Sequence, residues 1–251
     1  VLGSNRASLH TELRQPLWQA QGFYIAPYAE YSRRRSDVYF DDGAPARDVK
    51  PFNSMTIETA RAGVDLGIPL GRKGELRLGV NYVSMSASFN YLALQTDDSG
   101  NIVDATELPT QRAKQPAFRA QLTLDQLDDP LFPRSGYYLY SSVEAGFGSP
   151  DKKFNTAQAK GLWATSYGRH TFNVALEGAG QFGANSPTRE NGGDSGNGAN
   201  VGFYLGGFQH LSAYAPDQFN GQYLLYGRLT YLYDLRVNDL LGLRAPVFGV
   251  S

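Results

Sequence analysis

The 251-residue sequence contains no cysteine, so it holds neither a disulfide frame nor a thiolate zinc site. That suits a compartment in which stray thiols oxidise, though cytosolic proteins also do without cysteine. Neither sign of charge is in excess: 23 Lys and Arg stand against 24 Asp and Glu, which gives no bias toward nucleic acid. No stretch approaches the roughly 20 apolar residues that a membrane-spanning helix needs, and amphipathic helical periodicity is scarce. The opening Val1-Leu2-Gly3-Ser4-Asn5 has no initiator Met and no charged-then-apolar leader, so the chain is expected to be an internal segment of something longer. Catalytic signatures are missing too. No GxSxG elbow is present, and His10, His170 and His210 are far apart with no HExxH-type zinc spacing. They are expected to be solvated loop or lumen residues. Asp97-Asp98 lacks the pattern of a calcium loop. No catalytic residue, cofactor or metal is therefore assigned.

What is present is glycine and aromatics: 28 Gly, 16 Tyr and 14 Phe in a chain whose mean hydropathy is nonetheless negative. Strands with one apolar and one polar face produce that combination, and outer-membrane barrels have it because lipid wets the outside and water the lumen.

Period-2 alternation recurs along the chain. Leu76, Leu78, Val80 and Tyr82 alternate with Glu75, Arg77, Gly79 and Asn81. Phe118, Ala120, Leu122 and Leu124 alternate with Arg119, Gln121, Thr123 and Asp125. Val174, Leu176 and Phe182 oppose Asn173, Glu177 and Gln181, and Tyr223, Leu225, Leu229, Tyr231 and Tyr233 oppose Arg228, Thr230 and Asp234. The pattern predicts strands at about 7–20, 22–40, 55–70, 74–92, 115–128, 136–148, 153–167, 170–184, 222–235 and 243–251, with boundary errors of about 2–4 residues. Several exceed the roughly 9–11 residues that cross a membrane. Connections alternate between tight turns, at Gly71-Arg72-Lys73-Gly74 and Tyr167-Gly168-Arg169-His170, and long polar linkers at 41–54, 93–114 and 185–221. The longest includes the low-complexity tract Asn191–Gly198. Barrels of this kind have short periplasmic turns and long outer loops.

Charges within strands need a wet destination. Arg77, Arg119, Glu144, Glu177 and Arg228 all fall on the polar face, where a lumen would accept them; facing lipid at mid-depth, an Arg costs about 2–4 kcal/mol. Aromatics near strand ends, including Trp18, Phe23, Tyr24, Tyr39, Phe40, Tyr137, Tyr138, Tyr167, Tyr231 and Tyr233, fit an interfacial belt. The run Arg33-Arg34-Arg35 has the chemistry to bind phosphates or anionic headgroups. Asp37, Asp41 and Asp42 lie close enough to screen it, so a solvated strand end is the expectation.

Two segments are more specific. Asp128-Asp129-Pro130-Leu131-Phe132-Pro133-Arg134-Ser135-Gly136 is a turn between strands, where the prolines fix φ and Gly136 permits a tight approach. Its Asp129, Phe132, Pro133, Arg134 and Gly136 resemble the "D…P.FPR.G" turn of the BamA-like superfamily of polypeptide-transporting outer-membrane barrels. Phe203 to Tyr214, with Gly206, Gly207, Leu211, Ser212, Ala213 and Tyr214, resembles that superfamily's "LGG…LRGY" loop.

The resemblance implies an all-β transmembrane antiparallel barrel, residues 1–251 supplying about ten strands of an expected total of about sixteen. Two or three strands are expected before Val1 and about three after Ser251. It also implies that loop 185–221 folds back into the lumen, where in the family an Arg anchors it to the wall. Ser212 occupies that position, and a hydroxyl cannot make the bidentate charge-assisted contact of an Arg. The Leu-Ser-Ala variant is similar to the patatin-fused type Vd autotransporters, as are the segments Leu2–Leu17 and Phe23–Tyr28. This implies an outer-membrane translocator or anchor for a passenger domain. Its partners would be the lipid bilayer, a linked or secreted polypeptide and the outer-membrane assembly machinery, with no nucleic acid. The barrel itself is expected to be no enzyme. Rival readings are an assembly insertase or two-partner secretion transporter, a barrel phospholipase and a passive porin.

Overall fold

The computed structural model describes residues 6–17, 22–39, 51–89, 92–96, 102–107, 110–147, 155–182, 203–207, 210–234 and 248–250. Among them are only strands and turns. In chain order the strands are β1 (Arg6–Glu12), β2 (Gln15–Pro16), β3 (Tyr24–Tyr39), β4 (Pro51–Pro69), β5 (Gly74–Phe89), β6 (Leu92–Thr96), β7 (Ile102–Glu107) and β8 (Gln111–Asp125). After these come β9 (Gly136–Gly146), β10 (Asn155–Tyr167), β11 (His170–Phe182), β12 (Phe203–Leu205), β13 (Phe219–Gly221), β14 (Tyr223–Tyr233) and β15 (Phe248–Val250). The main sheet is an antiparallel meander, β1-β3-β4-β5-β8-β9-β10-β11-β14-β15, with β2 paired to β3. Among the described residues no pairing joins β1 to β15, so the sheet is not closed there. β6 and β7 form a separate hairpin, and so do β12 and β13.

The sheet is curled. On a flat sheet, strands three steps apart would lie roughly 14 Å from one another. Yet Arg77 on β5 donates to Glu12 on β1 at 2.6 Å, and Arg61 on β4 donates to Glu144 on β9 at 3.1 Å. Each pair is three steps apart on the same face, which must therefore be concave.

Burial is inverted relative to a soluble protein. The concave face is polar and buried: Asp65 is 1% exposed and Arg77 8%, with Asn81, Gln115, Glu144, Asn173 and Gln181 similarly covered. The convex face is apolar and open, with Leu225 87% exposed, Leu176 60% and Trp163 54%. Water offers no reason to display such a surface. A bilayer does, because lipid-facing apolar residues and a polar interior are what a membrane barrel requires. Strand pairing within the sheet satisfies the backbone, which hydrocarbon cannot.

Strands β3 to β5, β8 to β11 and β14 fall within about 4 residues of their predicted bounds. The first strand, expected over 7–20, is divided into β1 and β2, but one register with β3 runs through both: Leu13 donates to Pro27 between them and Leu17 to Phe23 after them. Two expectations need correcting. The linker 93–114 is not a plain loop, since it carries most of the β6–β7 hairpin, whose alternation is too short to stand out in sequence. Tyr24 is not a belt residue. It is buried on the concave face and donates to Glu75 at 2.7 Å, its even position matching Ala26 and Tyr28 rather than the outward Ile25. A convex aromatic cluster does gather at the short-turn end: Tyr137 stands opposite Trp163, Thr165 opposite Phe172 and Tyr167 opposite His170. Phe172 in turn stands opposite Tyr231, and His170 opposite Tyr233. Trp18, Phe40, Asp97-Asp98 and the tract Asn191–Gly198 lie outside the described residues.

Candidate functional site

The concave face carries a chain of ion pairs rather than a catalytic constellation. Arg77 lies between Glu12 and Asp65, at 2.6 and 3.1 Å, and Arg119 approaches Asp65 at 3.8 Å while donating to Gln121. Arg14 adds a second cation to Glu12 at 2.6 Å and reaches Glu75 at 3.6 Å. Arg61 holds both Glu30 and Glu144. The acids and bases interleave, so each charge faces its opposite instead of an apolar wall, which makes their burial tolerable. Of the charges picked out by alternation, Arg77, Arg119 and Glu144 join this lattice of pairs. Glu177 stands apart on β11 with Lys160 at 2.7 Å. Arg228 lies half-buried on the same face of β14, directly across from Ala175.

The turn after β8 is closed by its own aspartates. The Asp128 carboxylate accepts the amides of Arg134 and Ser135 at 2.9 and 3.0 Å, and the Asp129 carboxylate accepts those of Leu131 and Phe132, both at 2.8 Å. The slight burial of Asp128 opposes ionisation, but the Ser135 and Arg134 amides outweigh it and hold its carboxyl below the ordinary range. Gly136 has φ +104°, and a Cβ there would sit 2.0 Å from the Gln126 carbonyl oxygen. Pro133 is buried, and Phe132 projects half-exposed. Arg134 pairs with Asp234 beyond β14 at 3.3 Å.

The loop around β12 and β13 is held the opposite way, by distant groups. Gly206 and Gly207 both have positive φ, at +134° and +94°, and pass so close to the Ala215-Pro216 backbone that a Cβ on Gly206 would lie 2.3 Å from the Ala215 oxygen. This close approach folds the segment into a compact double bend. His210 donates its amide to Gly207 and Tyr214 its amide to Leu211, while Tyr214 packs edge-on against Phe219 at 5.0 Å. Leu211 itself has φ +83°, a conformation that costs on the order of 1–3 kcal/mol in a side-chain-bearing residue. The surroundings over-determine it. Asp217 pairs with Arg34 on β3 at 3.3 Å and Arg6 on β1 at 3.5 Å, and Tyr204 lies under the Arg34 guanidinium at 3.6 Å. At the other side His210 meets Glu177 on β11 at 3.2 Å.

These ties cross the concavity. β3 and β11 are six steps apart, roughly 29 Å on a flat sheet, while the seven steps from His210 to Asp217 reach at most roughly 25 Å even fully extended. The curl of the sheet brings both walls within reach of one short segment and its side chains.

Ser212 and Ala213, the positions where the family pattern has Arg and Gly, thus sit inside a loop whose anchor has the reverse polarity. The loop supplies the acid, Asp217, and the wall supplies the cations. Sequence reading missed Asp217, Arg34, Arg6 and Tyr204. A signal existed in the triple arginine: on a strand, Arg34 must face opposite to Arg33 and Arg35, hence inward. The histidines remain apart, His10 near Glu12, His170 bonded to Tyr231 and His210 on Glu177. Among the described residues no group of three or more His, Asp or Glu is placed to hold a metal.

Comparison with known proteins bears on this arrangement. The Omp85 superfamily domain matches residues 2–228. Among solved structures, the crystal structure of BamA from Haemophilus ducreyi lacking POTRA domains 1-3 aligns with a TM-score of 0.58 at 13% identity, covering 93% of this chain and 46% of that one. At that identity the likeness is one of fold, and the chain spans under half of that BamA's length. No curated protein matches.

Proposed function

We propose that this chain, which belongs to the Omp85 superfamily, is the membrane-embedded part of a translocator for a polypeptide passenger. It is a bacterial outer-membrane protein, and its sheet has the fold of a BamA barrel. The passenger is a domain linked upstream, a patatin-like hydrolase as in type Vd autotransporters, so that any hydrolytic chemistry belongs to the passenger and the barrel contributes a conduit. The barrel's own work is conformational.

One observation carries this reading: the segment 203–221 spans the polar concavity and is tied to opposite walls, by ion pairs from Asp217 to Arg34 and Arg6 and by the contact of His210 with Glu177. Ion pairs in a wet lumen are exchangeable. A passenger strand threading past can substitute its own charged and polar groups for each partner, whereas a hydrophobic plug would resist. Reversal of the anchor's polarity also separates this loop from the Arg-anchored family pattern, which supports the autotransporter branch over an insertase.

This chain has no cysteine of its own. In the full-length protein with its passenger, with any cysteine outside the chain replaced by Ser, Arg34→Cys and Asp217→Cys are joined by a short bismaleimide. Surface display of the passenger should fall to background when the link is made and recover in either single variant. Display unaffected by the link would sink the reading. Loss of outer-membrane barrel assembly in the cell, with display intact, would favour the insertase.

A further inference from the structure

The triple arginine behaves differently in the folded chain from what its sequence neighbours suggest. Arg34 turns inward to the loop, which leaves Arg33 and Arg35 outward and exposed. The register brings two more cations beside them. Arg33 stands opposite Glu58, Glu58 opposite Ser86 and Ser86 opposite Arg112. In the next row Tyr31, Ala60, Ser84 and Lys114 align. Arg112 and Lys114 are exposed, flanked by the buried Ala113 and Gln115, so they too project from the convex face. Among the described side chains these four cations share one carboxylate, Glu58, which lies 3.7 Å from Arg33 and accepts from the Tyr31 hydroxyl; Asp37 follows two positions after Arg35 on the same strand.

The patch sits where the lipid-facing band ends. Along β5 the outward residues change from Leu76, Leu78, Val80 and Tyr82 to Ser84, Ser86 and Ser88; along β8 they change from Leu124, Leu122, Ala120 and Phe118 to Lys114 and Arg112. The ten steps from Leu124 to Lys114, tilted about 45°, rise roughly 24 Å, close to the height of a barrel's apolar band. These side chains therefore lie at headgroup depth. They are also at the ends joined by long connections, which face outward in barrels of this kind. Single-strand cations at that depth are cheap, but four gathered over four strands form an electrostatic site.

We propose that this face of β3, β4, β5 and β8 binds an outer-leaflet glycolipid bearing two phosphates. The cations form two pairs, Arg33 with Arg35 and Arg112 with Lys114, three strand steps or roughly 14 Å apart. A disaccharide phosphorylated at both ends spans such a distance, and a single-phosphate phospholipid does not. Each phosphate takes charge-assisted hydrogen bonds from one pair. The floor between them, with Ser84, Ser86 and the Tyr31 hydroxyl, offers donors and acceptors to sugar hydroxyls, and the acyl chains lie down the apolar band. This assignment needs only the outer-membrane location, not the translocation reading.

The test is native mass spectrometry of the full-length protein in detergent, titrated with lipid A, phosphatidylglycerol or phosphatidylcholine. Wild type should retain lipid A above both phospholipids. The variant R33Q/R35Q/R112Q/K114Q should lose lipid A retention at least roughly tenfold. Each pair alone, R33Q/R35Q or R112Q/K114Q, should reduce it to the level of phosphatidylglycerol, and these pairs serve if the fourfold variant fails to fold. R72Q/K73Q, in the tight turn at the far end of the strands, should leave it unchanged. Equal retention by the fourfold variant or by both pairs, an equal loss in R72Q/K73Q, or phosphatidylglycerol bound by wild type as well as lipid A would each overturn the proposal.

Discussion

The turn over 126–136 and the loop over 203–221 use similar parts to opposite ends. Both carry glycine at positive φ where a Cβ would strike backbone, and both depend on aspartate. In the turn, Asp128 and Asp129 accept four amides from their own next few residues. In the loop, Asp217 reaches across the concavity to Arg34 and Arg6. Local amide clamps fix a shape once and for all, since the acceptor and the donors of each clamp belong to the same turn. Long-range ion pairs fix a position, and they let go when another charge or water competes. One region is built as a hinge pin, the other as a latch.

The contrast predicts unequal responses to substitution. Gly136→Val should be the most damaging change, because both φ +104° and the 2.0 Å approach to the Gln126 oxygen forbid the side chain. A loss of about 2–3 kcal/mol is expected, read as a shift in the urea midpoint of the heat-modifiable folded form in detergent. Gly71→Ala, at φ +65° with open space around it, should cost only about 1 kcal/mol. Equal losses at the two positions would mean that the turn is no more rigid than any other. Asp217→Arg should next release the loop, opening the barrel to ions in planar bilayers while leaving the folded fraction nearly unchanged. Adding Arg34→Asp should restore closure, with a coupling of about 1–3 kcal/mol in the double-mutant cycle. Failure of the reversed pair to restore closure would show that something other than charge holds the latch.

The same contrast explains what could be read from the sequence. The strands were legible because membrane and lumen impose opposite chemistry on alternate residues, so Leu76 to Tyr82 and Arg77 to Asn81 announce their faces. The turn was legible because its partners are neighbours: Asp128, Pro133 and Gly136 carry their roles within nine positions. Loop anchoring was not. Nothing local to Asp217 says that Arg34, on the far side of the concavity, is its partner, and Ser212 suggested only that the usual anchor was gone. Tyr24 misled for a related reason. An aromatic near a strand end fits a belt, and only the phase relative to Ile25 and Ala26, with Glu75 two strands away, sends it inward. Lateral neighbours such as Arg33 and Arg112 are three strand steps apart and are invisible until the register is known.

Smaller effects separate latch from pin more finely. Glu177→Gln removes the acid that His210 and Lys160 share. Both partners are about half exposed, so stability should fall by less than about 1 kcal/mol, yet the loop should show more rapid amide exchange near His210. Exchange as slow as in wild type would leave Asp217 as the sole latch.

The finest distinction is in the response to acid. Asp128 has a folded-state pKa below its unfolded value, so its clamp is fully present above the ordinary carboxylate pKa of about 3.9 and is lost as pH falls through the lower folded value. The amides of Arg134 and Ser135 should therefore stay protected from exchange at mildly acidic pH and lose protection only in strong acid, after correction for intrinsic rates. Asp128→Asn keeps an acceptor oxygen but removes the titration, so its weaker protection should not change over that range. A wild-type turn that opens at mildly acidic pH would mean that the amides do not hold the carboxylate ionised. The turn would then be as conditional as the loop, and the division between pin and latch would fail.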